Sequence, residues 1–423
     1  MTGPVEVVIT GIGVVSPIGI GREQFLAALY QRRSGIRRIQ QFDASALPVQ
    51  IASEVVDFDP KAYIKQRKNL KVMCRDSQLG VAAAEIACQD AGIVPGEVDP
   101  ERLGVVLGAD RIYGSMQDGS ETYRGCFVDG RFDYARWGTA GIAASFPLSF
   151  LKVLPNMIAS HISIAHDARG PNNTIHQAEV SGLVAIGEAA RVIQRGAADV
   201  MLAGGASSQM TPADCIRRCV MGILSRRQDD PAAAIRPFDA ERDGQVWGEG
   251  AAIFILENRR HAEARRAKIL ARVLSWASTC EPRSSTGRNQ GTGLRRALEL
   301  ALCRAELDGR QLGHVNAHGL STIQDDQVEA RALHDVVPSV PVTAPKSYFG
   351  NLGAAGAAVE MVASVLSLET GLVPPTLNYE YPDPACPLQV IQDRPLSSTR
   401  SPALLVSRTW AGQAATAVVA APN

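Results

Sequence analysis

The sequence has no excess charge of either sign: 43 Lys+Arg balance 43 Asp+Glu over 423 residues. That removes the basic footprint of a nucleic-acid binder or a polybasic membrane anchor, and leaves small molecules or proteins as the expected partners. No apolar run approaches the roughly 20 residues that cross a bilayer. The start, MTGPVEVVIT, lacks a basic region followed by an apolar core and cleavage site. The eight cysteines (Cys74, Cys88, Cys126, Cys215, Cys219, Cys280, Cys303, Cys386) are scattered rather than spaced as a disulfide framework. The expectation is a cytoplasmic chain with reduced thiols and no membrane insertion. There is no low-complexity tract and no exact repeat, so any duplication has to show in the fold. With 46% hydrophobic and 20% charged residues, the chain has core material for two fused halves and too little charge for disorder.

What is present is alternation. Short β-branched runs, at Val5 to Thr10, Leu103 to Leu107, Asp199 to Ala203, Ala252 to Leu256, His314 to Ala317, Ala403 to Ser407 and Ala415 to Ala420, interleave with Ala-rich helical stretches, which indicates an α/β protein. KVMCRDSQLGVAAAEIACQDAG reads as a helix ending at Gly92. GLRRALELALCRAELDG places Leu294, Leu298, Leu302 and Ala305 on one face and ends at Gly309, and AAGAAVEMVASVLSLETG closes at Gly371. The charged stretch His261 to Lys268 is the expected link, dividing the chain into residues 1–258 and 259–423.

Three motifs have plain readings. GIGVVS at Gly11 to Ser16 begins like a dinucleotide loop, but Pro17 and Gly19 follow where a helix should start. Cys215 and Cys219 have no second ligand pair, and His161 and His166, five apart, do not share a helix face; no metal site is expected.

The segment RGPNNTIHQAEVSGLVAIGEAARVIQRGAADVMLAGGAS is the most informative. An extended piece ends near Ala178, and a helix with Leu183, Ile186 and Ala190 inward starts just after Glu179. Unpaired N–H groups and positive dipole gather at such a position, which suits a carboxylate as a functional group or as a simple cap.

This segment resembles the nucleophile elbow of the β-ketoacyl-ACP synthases, the condensing enzymes of fatty-acid and polyketide synthesis. Further motifs follow in family order: VVITGIGVVSPIG, SGIRRIQQFDASALP, the KVMCRD helix, RPFDAERDGQVWGEGA, NAHGLST and KSYFGNLGAAG. The resemblance implies a thiolase-like fold, with two similar βαβαβαββ halves in five α/β/α/β/α layers. It also implies acyl carrier protein as partner, with phosphopantetheine arriving on that carrier and no cofactor bound to the chain itself. Family members dimerise near the elbow, and the apolar strand Asp199 to Ala203, expected to be exposed, is a candidate contact. The dimer is homomeric or is formed with a cysteine-bearing ketosynthase.

Carried over residue by residue, the family's acyl-accepting cysteine falls at Glu179. Of its two histidines, the first matches His318; the second falls at Asn351 when counted from Lys346, or at Gly350 when counted back from Gly353. Lys346 and Glu329 match supporting charges. Thr322 matches a threonine that contacts phosphopantetheine, Leu320 replaces another, and Gln245 replaces an active-site phenylalanine. Trp410, after Arg408 and Thr409, matches a phenylalanine of the loop that gates the acyl pocket. A carboxylate holds no useful thioester, so condensation is expected to be lost. The leading reading is a non-condensing subunit similar to chain-length factors. The alternatives are a malonyl-ACP decarboxylase, or another acyl-thioester enzyme using Glu179 with His318, Glu179 then serving as an ionised general base.

Overall fold

The computed structural model describes residues 5–422 apart from 95, 113–115, 222, 283–288 and 399. Strands apolar on both faces need cover on both sides, and ten strands, most of them of this kind, build the centre of the molecule. In the first half these are β1 (Val7–Ser16), β2 (Leu103–Ala109), β3 (Asn172–Ile175), β4 (Val200–Ser208) and β5 (Glu249–Asn258). In the second they are β6 (Ala271–Cys280), β7 (His314–Asn316), β8 (Pro341–Thr343), β9 (Ala403–Arg408) and β10 (Gln413–Ala420). The first five lie in the order β3-β2-β4-β5-β1, the second in the order β8-β7-β9-β10-β6. Parallel and antiparallel pairings also match, step for step. A duplication invisible as sequence repeat is therefore plain as topology. β1 and β6 pair antiparallel, Val7 opposite Val273, and join the two sheets at their edges.

Helices complete five layers. One outer layer is α1 (Arg75–Asp90) with α2 (Met157–His166), packed on the first sheet. The middle layer is α3 (Ser181–Gln194) with α6 (Gly356–Thr370), which share a core with both sheets. The opposite outer layer is α4 (Thr292–Ala305) with α5 (Ile323–Val336). Residues 356–368 of α6 are all buried, as a helix between two sheets must be.

Several expectations change. GIGVVS is the second part of β1, and its glycines let α1 pack: a Cβ on Gly13 would stand 1.8 Å from the Ala83 carbonyl oxygen. The second-half helix stops at Ala305, where Glu306 turns left-handed (φ 55°), not at Gly309. Asp199 to Ala203 is no exposed strand. Residues 200–207 are buried, and β4 lies between β2 and β5; the edge is β3, whose polar NNTI is only half covered. Periodicity reports that a strand is apolar, not its place in the sheet. His261 to Lys268 lies in a short helix (Arg259–Ala264) and the turn leading into β6.

Between β2 and α2 the chain makes an excursion whose Phe127, Tyr134, Trp137, Ile142 and Phe150 are exposed. Phe132 meets Phe127 and Tyr134 edge-on, with ring centroids 5.7 and 4.9 Å apart. Among the described residues no helix is long and apolar enough to cross a membrane.

Candidate active site

Two loops meet at the centre of the molecule, each leading into one of the middle helices. In the first, Ala178 adopts φ 51°, a conformation costly for a residue with a Cβ, and opens a 3₁₀ turn (Ala178–Val180) into α3. Ser181 ties the turn: its Oγ accepts from the Gln177 N–H at 2.8 Å and donates to the Ala178 carbonyl at 2.6 Å. Neither cap residue, Gln177 or Val180, makes a side-chain cap, and Glu179 stands in the first turn with its carboxyl facing its own backbone N–H. Its carbonyl accepts from Ser407 Oγ at 3.1 Å, which fixes the turn to β9.

The second loop, 350–355, reaches the first through glycines. A Cβ on Gly182 would lie 2.8 Å from the Ala354 carbonyl oxygen, and one on Gly205 2.4 Å from it. This close approach sets Asn351 against the elbow. Asn351 is fully buried; its Nδ2 donates to Glu179 Oε1 at 3.4 Å and to Gln245 Oε1 at 2.7 Å, and its Oδ1 accepts from the Gly353 N–H at 3.0 Å. Of the two registers weighed for the family's second histidine, Asn351 is the one whose side chain reaches Glu179. Gly350, at φ 69°, has no side chain to offer.

Glu179 is not fully sealed as a residue, yet its Oε2 is enclosed and without a hydrogen-bond partner. Burial raises its carboxyl above the ordinary value; Asp110 adds a like charge in the same direction, while its own backbone N–H, Asn351 and Lys346 oppose the rise. Asp110, a residue that carries no sequence signal, is buried and accepts from Ser207 Oγ and the Ala354 N–H, each at 2.8 Å.

His318 is buried, with its Nδ1 unpartnered. Burial, seconded by Lys346 and Arg408, holds the imidazole well below its usual pKa, so it is neutral at pH 7. Its backbone is clamped by Glu329, whose oxygens accept from the His318 N–H at 2.6 Å and the Gly319 N–H at 2.8 Å. Burial pushes the Glu329 carboxyl up to about 7. Lys346 is paired with Glu360 of α6, both buried, a partner that sequence reading missed.

The remaining expectations divide. Gln245 is buried and orients Asn351. Thr322 caps α5, its Oγ1 donating to Asp325 Oδ2 at 2.7 Å and accepting from the Asp325 N–H at 3.3 Å. Arg408 Nη1 also donates to Asp325 Oδ1, at 3.0 Å. Trp410 is 61% exposed, in the turn between β9 and β10. Two more residues were missed. Arg218 stacks over the buried Trp247, whose backbone pairs with Asn351. Burial lowers the Arg218 guanidinium to about 10, against the pull of Asp110 and Glu179. The described cysteines are all unpaired, and burial raises Cys74, Cys88, Cys215 and Cys386 to about 12, far from reactive thiolates. Among the described residues no cluster of His, Cys, Asp and Glu is arranged to hold a metal.

Chemically, the arrangement offers a carboxyl that is easily protonated, an amide aimed at it, and a neutral imidazole. These can hydrogen-bond a carbonyl; they do not provide a sulfur nucleophile. Comparison with known proteins agrees with the scaffold. Residues 5–262 match the profile of the β-ketoacyl synthase N-terminal domain, and residues 270–380 that of its C-terminal domain. A putative polyketide β-ketoacyl synthase 1 from Streptomyces halstedii is 37% identical over 392 residues, 91% of each chain. The solved ishigamide ketosynthase/chain length factor superposes with a TM-score of 0.87 at 29% identity, covering 100% of both chains. A type II PKS ketosynthase, bound to the hexaketide and in complex with its acyl-carrier protein, gives 0.84 at 28%, covering 99% of this chain and 100% of that one. The shared motifs, the duplicated sheet order and the matched profiles together make this chain a member of the β-ketoacyl synthase family, one that carries Glu179 at the elbow.

Proposed function

We propose that this chain is a non-condensing subunit of a fatty-acid or polyketide type synthase, pairing with a cysteine-bearing ketosynthase in the manner of a chain-length factor. The observation that carries the reading is Glu179: a carboxylate engaged by Asn351 stands where the family transfers an acyl chain to sulfur. Support comes from the likeness to a ketosynthase/chain length factor. The exposed aromatic excursion, 127–150, is a surface of the kind that marks protein contacts. The proposed roles are Glu179 and Asn351 as the altered elbow pair, His318 and Lys346 as retained support, and Gln245, Thr322 and Trp410 as groups along the acyl and phosphopantetheine route. Acyl carrier protein is the proposed partner of the assembled pair, supported by the relative solved with its carrier. The division into residues 1–258 and 259–423 is likewise proposed, supported by the repeated strand order.

The test is co-expression with a cysteine-bearing ketosynthase. A stable 1:1 complex is expected, with condensation abolished by mutating the partner's cysteine and unaffected by Glu179→Ala. A thioester trapped on this chain alone, or condensation by its homodimer, overturns the reading.

A second reading, decarboxylation of malonyl-ACP, is favoured by the raised pKa of Glu179. An ionised carboxylate about 4 Å from a forming enolate costs on the order of 4 kcal/mol at an effective dielectric of 20; a protonated one donates to it. This reading expects acetyl-ACP to form faster as pH falls through the Glu179 pKa, and Glu179→Gln to keep a high rate above it. Absence of acetyl-ACP from both proteins at every pH removes it.

A further inference from the structure

His161, which sequence spacing does not assign to a metal site, belongs to a separate feature in the outer layer of the first half. A cavity of about 110 Å³ lies where α1 and α2 meet the segment 63–73. Its apolar wall includes the buried Ile64, Met73 and Val81 and the exposed Ala165, and Lys65, Gln66, Asn69, Glu85 and His161 supply polar groups. His161 is 4% exposed, and both ring nitrogens are enclosed without a hydrogen-bond partner. The Val72 carbonyl lies near the ring and opposes its loss of basicity without completing a hydrogen bond, while burial prevails and keeps the imidazole neutral.

A neutral imidazole carries one donor and one acceptor, and buried polar atoms left unmatched are uncommon in folded proteins. The charged groups lining the cavity, Glu85 and Lys65, are paired with each other. Glu85 Oε1 accepts from Lys65 Nζ at 2.9 Å and from Gln89 Nε2 at 3.0 Å, so acid and base answer each other. The volume is below the roughly 150 Å³ of an engineered cavity that takes benzene. We infer that the cavity between α1 and α2 is a binding site for a small neutral alcohol, its hydroxyl on His161 and its short aliphatic body against Ile64, Met73, Val81 and Ala165. A hydroxyl suits either tautomer, because it both donates and accepts. The inference is independent of the reading of Glu179.

The probe is 1-butanol, titrated into the full chain labelled with ¹⁵N-histidine. One imidazole is expected to shift and saturate. Binding should weaken at least tenfold in His161→Leu, which removes the polar partner, and in Ala165→Leu, which narrows the cavity and keeps the imidazole. Circular dichroism checks that each variant folds; should His161→Leu fail, Ala165→Leu carries the test alone. A non-saturating response, equal affinity in wild type and the folded variants, or a butanol-soaked crystal holding only water in the cavity overturns the inference.

Discussion

Glu179 and Asn351 sit on equivalent loops of the two halves. Each loop follows the third strand of its unit, β3 or β8, and leads into a middle-layer helix, α3 or α6. The loops nevertheless differ in how completely they are satisfied. Every residue of 342–355 is buried, and Asn351 uses its backbone N–H and carbonyl as well as its side chain, bonding Val246 at 2.8 Å and Gly248 at 3.0 Å. The elbow instead begins with a strained Ala178 and leaves Glu179 Oε2 unmatched. A buried acceptor in that state costs about 1–3 kcal/mol. One loop is thus fully satisfied by its surroundings, and the other leaves a polar atom unmatched.

That contrast can be tested by breaking each side. The largest effect is expected from Lys346→Met, which strands Glu360 in the core at a cost of about 3–5 kcal/mol. Lys346→Met with Glu360→Leu should recover most of it in urea unfolding, and no recovery would mean that the pair is not what holds α6. Next comes Gly353→Ala. At φ 54°, with its Cβ 2.2 Å from Asp110 Oδ2, it should lose at least about 2 kcal/mol and loosen Asn351 from the elbow.

On the other loop, Glu179→Gln should stabilise the protein by about 1 kcal/mol at pH 8. The sign follows from the raised pKa: the folded state binds the proton more tightly than the unfolded one, so stability is full below about 4.5 and falls as pH rises through the folded value. The gain should vanish near pH 4, and a gain equal at both pH values breaks the assignment. Asp76, Asp326 and Glu329, each pushed up to about 7 mainly by burial, act in the same sense. Glu329→Gln should flatten the fall in melting temperature between pH 5 and 8. The smallest effect is Thr322→Ala, about 1 kcal/mol for a lost N-cap. Were its effect instead confined to carrier-protein affinity, with stability unchanged, Thr322 would be a contact and not a cap.

Legibility tracked the range of the interaction. Gly371 ends α6 at φ 76°, as its place after an apolar helix announces. Leu183, Ile186 and Ala190 face inward because spacing alone puts them on one side. The elbow helix was readable for the same reason, whereas Glu179 was singled out by the family resemblance. Asp110, Arg218 and Glu360 were not, since each enters the site from a segment with no motif, and Trp247 lies within RPFDAERDGQVWGEGA without a signal that singles it out. The strand 199–203 was misplaced because exposure is a property of neighbours. Pro17 and Gly19 told against a ligand loop at GIGVVS, but that its glycines are a packing surface for α1 shows only in the fold.

The sequence by itself determined the elements, their caps, the family likeness and the absence of sulfur at the elbow, because these depend on local geometry and on residue identity. Only the tertiary structure decided that Asn351 answers Glu179, that Glu329 holds His318 through its backbone, and that Lys346 is neutralised by Glu360. The first joins residues 172 positions apart through the glycine contacts between the two halves, and the other two bury charges whose protonation depends on the surrounding dielectric.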